Sequence, residues 1–217
     1  LEISLYNEFK RKGIHLFALI IPLGYYVLPK KFALLVIVPI ALGSIHFNKW
    51  IVFDFPSILL VLIPIALGSI LVDIIRLRKL PLANFFNWFL GPILREHESY
   101  SFTGSSHILS ASALAILFFD KKVAIAAIVY VILGDIAAAL VGRVYGKTKI
   151  ENKSLEGSLA FLSVCLLIAL LLPGLPLWIG AIGALVATAV EALSIPIDDN
   201  LSVPILSGLV MEILHLL

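Results

Sequence analysis

The sequence predicts an all-α integral membrane protein: a polytopic helix bundle of seven or eight hydrophobic segments, forming a single membrane-embedded domain over residues 1–217. Three observations carry that expectation. Of the 217 residues, 61% are apolar and 14% are charged, against about 45–50% and about 25% in soluble domains. The mean hydropathy of +1.09 leaves more apolar surface than a fold of this size can hide, and it excludes intrinsic disorder. The apolar runs are also continuous and much longer than the alternating strands of a membrane β-barrel, so the spans are helices.

The runs fall at 14–29, 32–47, 56–75, 105–119, 123–141, 157–173, 177–195 and 203–217. About 20 apolar residues cross the hydrocarbon, so the shorter runs must be tilted, re-entrant or continued by partly polar flanks. Pro22, Pro39 and Pro64 interrupt helices, which a bundle tolerates where neighbours satisfy the freed carbonyls. The first run follows Lys10-Arg11-Lys12, and no small-residue cleavage site closes it, so no cleavable signal peptide is expected. Cys165, alone inside an apolar run, offers neither a disulfide framework nor a cysteine metal site. A net charge of +2, spread in short clusters, gives no footprint for nucleic acid.

Most polar chemistry lies in three connections, 76–104, 142–156 and 196–202, which span parity puts on one face. That face holds Lys30, Lys31, Arg76, Arg78, Lys79, Arg95, Arg143, Lys147, Lys149 and Lys153. The other holds six basic residues, Lys10, Arg11, Lys12, Lys49, Lys121 and Lys122. The positive-inside rule therefore places the three connections in the cytoplasm. A re-entrant early segment would return Lys10-Arg11-Lys12 to the same face, and that arrangement is preferred if Arg11 and Lys12 share a site with the three connections.

The most informative stretch runs from Gly134 to Gly146. Asp135 lies near the end of an apolar segment, where a carboxylate is expensive. Asp135, Ala138, Gly142 and Gly146 share one helix stripe, nearly bare of side chains beyond the acid. Such a stripe suits close helix packing, within a chain or in a homo-oligomer, and equally the close approach of a ligand. Beyond it, Arg143, Lys147, Lys149 and Lys153 crowd together, and Asn152-Lys153-Ser154-Leu155-Glu156-Gly157-Ser158 opens the next helix. A bare stripe, a basic cluster and a hydroxyl-bearing helix start together make a phosphate cradle, because a helix N-terminus presents free N–H groups and a positive dipole end.

These residues resemble the CTP-dependent lipid kinases: the dolichol and polyprenol kinases, the phytol kinases and the yeast-type diacylglycerol kinases. The pattern D-x-x-A-x-x-x-G-x-x-x-G followed by K-S-x-E-G reads here as Asp135, Ala138, Gly142 and Gly146, then Lys153, Ser154, Glu156 and Gly157. Arg11-Lys12-x-x-His15, Asp73-x-x-Arg76, Glu98 with Thr103-Gly104, Glu191 and Asp198-Asp199-Asn200 with Pro204 extend the likeness along nearly the full chain. The spacer between Gly146 and Lys153 is shorter than in dolichol kinases, and Asn152 stands where those often have a second lysine. The small chain looks like the bacterial or archaeal branch, which implies a prokaryotic cytoplasmic membrane with the active site on the cytoplasmic face. The phosphatidate cytidylyltransferases are a more distant likeness and supply an alternative activity.

The resemblance implies transfer of the γ-phosphate of CTP to the hydroxyl of a membrane lipid alcohol, with Mg2+ as the metal. Phosphoryl transfer asks a protein for charge neutralisation and alignment, and magnesium takes carboxylate, phosphate and water oxygens. Asp135 is accordingly the leading metal ligand and a catalytic residue, with Glu191, Asp198 and Asp199 as further ligands. Arg11, Lys12, His15, Arg76, Gly142, Arg143, Gly146, Lys147, Lys153, Ser154, Glu156, Gly157 and Asn200 are the expected nucleotide-binding residues. Asp73 and Glu98 are alternative catalytic bases for the lipid hydroxyl, although Asp73 and Arg76, three residues apart, are also placed to pair across one turn. His107, Trp88 and Trp178 read as interfacial or core residues. An ion-coupled transporter is the competing class, disfavoured because the acids gather towards one face.

Overall fold

The computed structural model describes residues 16–27, 58–91, 94, 97–150, 153–193 and 196–217. The described residues form eight α-helices: α1 (Ile20–Val27), α2 (Leu59–Leu77), α3 (Ala83–Leu90), α4 (Gly104–Phe118), α5 (Lys121–Tyr145), α6 (Leu155–Leu171), α7 (Leu177–Ala192) and α8 (Asp199–Leu216). A 3-10 turn at His97–Ser99 precedes α4, and a two-stranded ribbon, β1 (Lys149–Ile150) and β2 (Lys153–Ser154), precedes α6. The ribbon is antiparallel, with Lys149 opposite Ser154 and Ile150 opposite Lys153.

Local chemistry starts four of these helices where the sequence changes from polar to apolar. Thr103 caps α4, Asp120 caps α5, Ser154 caps α6 and Asp198 caps α8, each side-chain oxygen accepting a backbone N–H from the first turn. Pro64 lies inside α2 and Pro204 inside α8 without ending either helix.

The bundle is built around α5. Every residue from Val123 to Ile128 is buried, so the helix is enclosed on all sides, as expected of a uniformly apolar helix at the centre of a membrane domain. Helices α4, α6 and α8 pack directly on it, α1 touches its beginning, and α7 closes over α6 and α8. The Phe161 ring of α6 occupies the notch at Gly134, where an added Cβ would meet its Cε2 at 2.6 Å. The Tyr130 hydroxyl donates to the Gly180 carbonyl at 2.9 Å, tying α5 to α7. Buried Cys165 lies against the Tyr130 carbonyl and serves as a packing residue, as its surroundings in the sequence suggest.

The outer surface is apolar as well. Leu67, Leu71, Leu159, Leu170, Leu171 and Leu185 all stand exposed on α2, α6 and α7, which only a hydrocarbon solvent makes favourable over so wide an area. Helices α2 and α5 are long and apolar enough to cross a bilayer, at 19 and 25 residues; α4, α6 and α7 are shorter apolar helices. The all-helical membrane architecture is thus present, while seven or eight full crossings are not delineated among the described residues. Of the first expected run only Ile20–Val27 is one continuous helix. The segment at 32–47 lies outside the described residues, as do Lys10, Arg11, Lys12 and His15. Two elements were not expected: α3 within the 76–104 connection, and the ribbon within 142–156.

Because α4 to α8 alternate in direction, the N-termini of α4, α6 and α8 come together at one end with the C-termini of α2, α5 and α7. The three polar connections meet there. Lys153 of 142–156 bonds Asp199 of 196–202, and Asn200 stands against Gly104 at the end of 76–104.

Candidate active site

Two polar clusters occupy this end of the bundle, bridged by the first residues of α8. The first surrounds Asp73, in the next-to-last turn of α2 and only 1% exposed. Its Oδ1 accepts from the Arg76 guanidinium at 3.1 Å. Its Oδ2 accepts from the Thr103 N–H at 2.9 Å, the Thr103 hydroxyl at 3.0 Å and the Ser106 hydroxyl at 2.6 Å. Arg76 donates onward to the Ser101 carbonyl at 2.8 Å. The carboxylate is fully used: a buried charge with an opposite charge and three neutral donors, which is how a buried acid is made tolerable. Asp73 and Arg76 do pair across their turn, and together they fasten the start of α4 to the end of α2.

Glu98 performs a similar task one step further along. Its Oε1 accepts the Gly104 N–H at 2.7 Å, one of the unpaired donors at the α4 N-terminus. Asn200 closes on the same place from α8, with its Nδ2 2.9 Å from where a Gly104 Cβ would stand. Asp198 Oδ1 accepts from both the backbone N–H and the side-chain amide of Asn200, at 2.9 and 2.8 Å. Its Oδ2 lies 3.8 Å from His107 Nδ1. Asp198 is therefore first a helix cap, and His107 belongs to this polar end and not to the apolar core.

The second cluster is ionic. Lys153 Nζ lies 2.7 Å from Asp199 Oδ2 and 2.9 Å from Glu191 Oε1, and it also donates to the Glu191 carbonyl. The Ser158 hydroxyl donates to the other Glu191 oxygen at 3.1 Å. Asp135 is near enough to Asp199 for its charge to act on it. Two acids, from α7 and α8, thus hold one lysine carried by the ribbon, and the Asp135 carboxylate of α5 acts on Asp199 from beside them. Burial disfavours the Lys153 ammonium, but the bonds and charges of Asp199 and Glu191 outweigh it, and its pKa is raised. Burial likewise pushes Asp199 up, further than Lys153 draws it down, and the charges of Glu191 and Asp135 push the same way. Asp135 lies seven residues before Gly142, about 10 Å along the axis, whereas Lys153 and Asp199 stand at the starts of α6 and α8.

The bare stripe on α5 is filled by the protein itself. The Ser154 Oγ sits 2.9 Å from where a Cβ on Gly142 or on Gly146 would stand, and a Cβ on Gly157 would meet the Ala138 carbonyl at 3.0 Å. The stripe lets the first turn of α6 lie directly on α5, which is helix packing by small residues. Ser154 is engaged as the α6 cap, accepting the Gly157 N–H at 3.2 Å. Glu156 accepts the Thr148 N–H with both oxygens, at 3.1 and 3.3 Å, and so holds the chain between α5 and the ribbon. Lys147 and Arg143 are exposed beside it.

Of the sequence-derived residues, the structure thus gathers Asp135, Lys153, Glu191 and Asp199 into one cluster. Gly142, Gly146, Ser154, Glu156 and Gly157 form the turn that carries Lys153, and Asp73, Arg76, Glu98, Asp198 and Asn200 build the adjoining wall. Ser106 and the Ser101 carbonyl were missed, and Thr103 and Ser158, though within the quoted motifs, were not assigned to the site. Ser158 lies one turn beyond Ser154 on the same helix face; Ser106 and Ser101 are selected by partners about thirty residues away.

Magnesium can be tested against the donors. Among the described residues, no three His, Cys, Asp or Glu side chains close on one point, so an all-protein cage is not formed. The carboxylates of Asp135, Glu191 and Asp199 are the oxygen type that magnesium takes, and an ammonium already stands between two of them. They suit a site in which one or two carboxylates share the ion with substrate phosphate and water.

No family model matches the chain, and no solved structure matches it. The chain is 30% identical over 208 residues to the uncharacterized protein RP860 of Rickettsia prowazekii, covering 91% of this chain and 90% of that one. It is 28% identical over 171 residues to a CTP-dependent diacylglycerol kinase 1 of Eremothecium gossypii, covering 66% of this chain and 54% of the kinase. Against the CTP-dependent diacylglycerol kinase 1 of Schizosaccharomyces pombe it is 26% identical over 161 residues, covering 65% of this chain and 74% of that one. The chain belongs to the family of the Rickettsia protein RP860, and it is distantly related to the fungal CTP-dependent diacylglycerol kinases.

Proposed function

We propose that the protein is a CTP-dependent lipid kinase, moving the γ-phosphate of CTP to the hydroxyl of a membrane lipid alcohol, of the diacylglycerol or polyprenol type, to give lipid phosphate and CDP. The observation that carries this reading is the convergence of Asp135, Glu191, Asp199 and Lys153 at the end of the bundle where three helix N-termini meet. Those N-termini supply a positive potential for phosphate oxygens. The acids supply the oxygen ligands that a nucleotide-bound divalent ion needs. The distant relationship to CTP-dependent diacylglycerol kinases points to the same donor and the same class of acceptor.

In this reading Asp135, Glu191 and Asp199 would hold magnesium, which supplies neutralisation of the phosphate charge when bound. Lys153, Lys147 and Arg143 bring cationic groups to the nucleotide, while Ser154, Glu156 and the glycines at 142, 146 and 157 fix the turn that positions Lys153. Asp73 and Arg76 act by positioning, since both Asp73 oxygens and one terminal nitrogen of Arg76 are already engaged in fastening the α4 start. The lipid hydroxyl oxygen attacks the γ-phosphorus, the bond from that phosphorus to the β-bridging oxygen breaks, and CDP leaves. The hydroxyl proton is lost to a neighbouring carboxylate or to water; a loose transition state makes little demand for a strong base. Glu98 fits that role better than Asp73, whose carboxylate is saturated.

Purified protein supplied with γ-labelled CTP, magnesium and a panel of lipid alcohols tests the proposal. Label moving to lipid with release of CDP supports it, and the panel identifies the acceptor. Release of pyrophosphate with cytidine retained on lipid would instead identify a cytidylyltransferase. Absence of CTP binding would remove both.

A further inference from the structure

The connection between α2 and α4 is pinned at both ends: Asp73 and Arg76 hold Ser101, Thr103 and Ser106, and Glu98 holds the Gly104 N–H. Between the pins lies α3. Lys79 and Leu82 adopt left-handed backbone, at φ 51 and φ 75, a conformation uncommon outside glycine, and they turn the chain sharply out of α2. Helix α3, which follows, has three faces. Ala83 and Phe86 turn inward, where α3 packs on α2. Asn84 and Asn87 form an exposed polar stripe. Phe85 and Trp88 form an apolar stripe, 56% and 76% exposed, which Leu82 at 65% extends. Arg78 and Lys79 are exposed at its border.

We propose that α3 is an interfacial helix, lying in the plane of the bilayer with Leu82, Phe85 and Trp88 in the headgroup–acyl boundary and with Arg78 and Lys79 towards anionic headgroups. Helix α2 is 19 residues long, about 28 Å, close to the hydrocarbon thickness, so the chain leaving Leu77 is at the membrane surface. Eight residues of α3, about 12 Å, cannot cross. An exposed Trp and Phe beside an asparagine stripe match the amphipathic character of a helix at that depth. Because Glu98 and the Asp73 cluster pin the same connection, the membrane surface is held in register with the acid–lysine cluster, and the polar heads of bilayer lipids are presented at the mouth of the site.

Depth measurement on the full chain in vesicles of phosphatidylcholine and phosphatidylglycerol tests this without reference to catalysis. In a Trp50→Phe/Trp178→Phe protein, Trp88 is the sole tryptophan. Bromines placed high on the acyl chains should quench it several-fold more than bromines near the chain ends, and aqueous iodide should quench it little. Strong iodide quenching with no lipid quenching would put α3 in water, and strongest quenching by deep bromines would put it inside the hydrocarbon; either overturns the proposal. If the tryptophan variant fails to fold, nitroxide labels at Phe85→Cys and Asn87→Cys in a Cys165→Ala chain give the same information. The label at 85 should be oxygen-accessible and the label at 87 water-accessible. Equal water access at both would refute the placement.

Discussion

Replacing Lys153 by methionine keeps most of the side-chain volume and removes the charge that Asp199 and Glu191 share. Both are within hydrogen-bond distance of Nζ, at 2.7 and 2.9 Å, in a cluster where the Glu191 side chain is 7% exposed but that of Asp199 is 38% exposed. Breaking a fully buried pair costs about 3–5 kcal/mol, whereas an exposed pair is worth about 0–1 kcal/mol. This intermediate cluster should lose about 2 kcal/mol, near the charge-assisted hydrogen-bond range. At about 2–4 °C per kcal/mol for a domain of this length, thermal unfolding in detergent should move down by about 4–8 °C. Lys149→Met, on the exposed partner strand, should stay within about 0.5 kcal/mol of the parent. Adding Asp199→Asn to Lys153→Met should restore part of the loss, because the uncompensated carboxylate is then removed as well. The CTP requirement should rise about ten- to a hundredfold for Lys153→Ala, on the scale of one charge-assisted contact, and hardly at all for Lys149→Ala. Unchanged melting for Lys153→Met together with equal CTP dependence of both alanine variants would refute the reasoning.

Asp135→Asn should leave the fold intact while turnover falls about a hundredfold or more, the scale of removing one preorganised electrostatic contact; near-normal turnover at low magnesium would make the acid structural. Asp73→Ala strips Arg76 of its partner and should cost about 3–5 kcal/mol, read as a lowered melting temperature with the CTP requirement preserved in the protein that remains folded. Gly142→Ala forces a Cβ to 2.9 Å from the Ser154 Oγ and should destabilise by about 1–3 kcal/mol. Gly68→Ala, in α2 with nothing within 4 Å of the new Cβ, should instead be neutral or stabilising by about 0.5–1 kcal/mol; equal melting shifts at the two glycines would show that α6 does not rest on α5 as described.

By itself the sequence determined the solvent, the secondary structure class and the polar end of this protein. Continuous apolar runs have one favourable environment, and Thr103, Asp120, Ser154 and Asp198 mark helix starts by bonds made within a few residues. Asp135 was legible for the same local reason, as a carboxylate that no apolar segment keeps without a partner. Tertiary structure alone decided what those residues meet. Lys153 is marked in the sequence by its place beside Ser154 at a helix start, but its partners, carboxylates 38 and 46 residues further along the chain, are not. The glycine stripe admits a ligand or a helix equally well, and α6 settled the matter by lying in it. Asp73 looked like a candidate base until Thr103 and Ser106, about thirty residues away, took up its oxygens. Helix α3 escaped because eight residues are too few to span and carry little periodic signal; its faces become defined only where α2 covers one of them. Local bonds and transfer free energy are written along the chain. The pairing of distant charges exists only after the helices have packed.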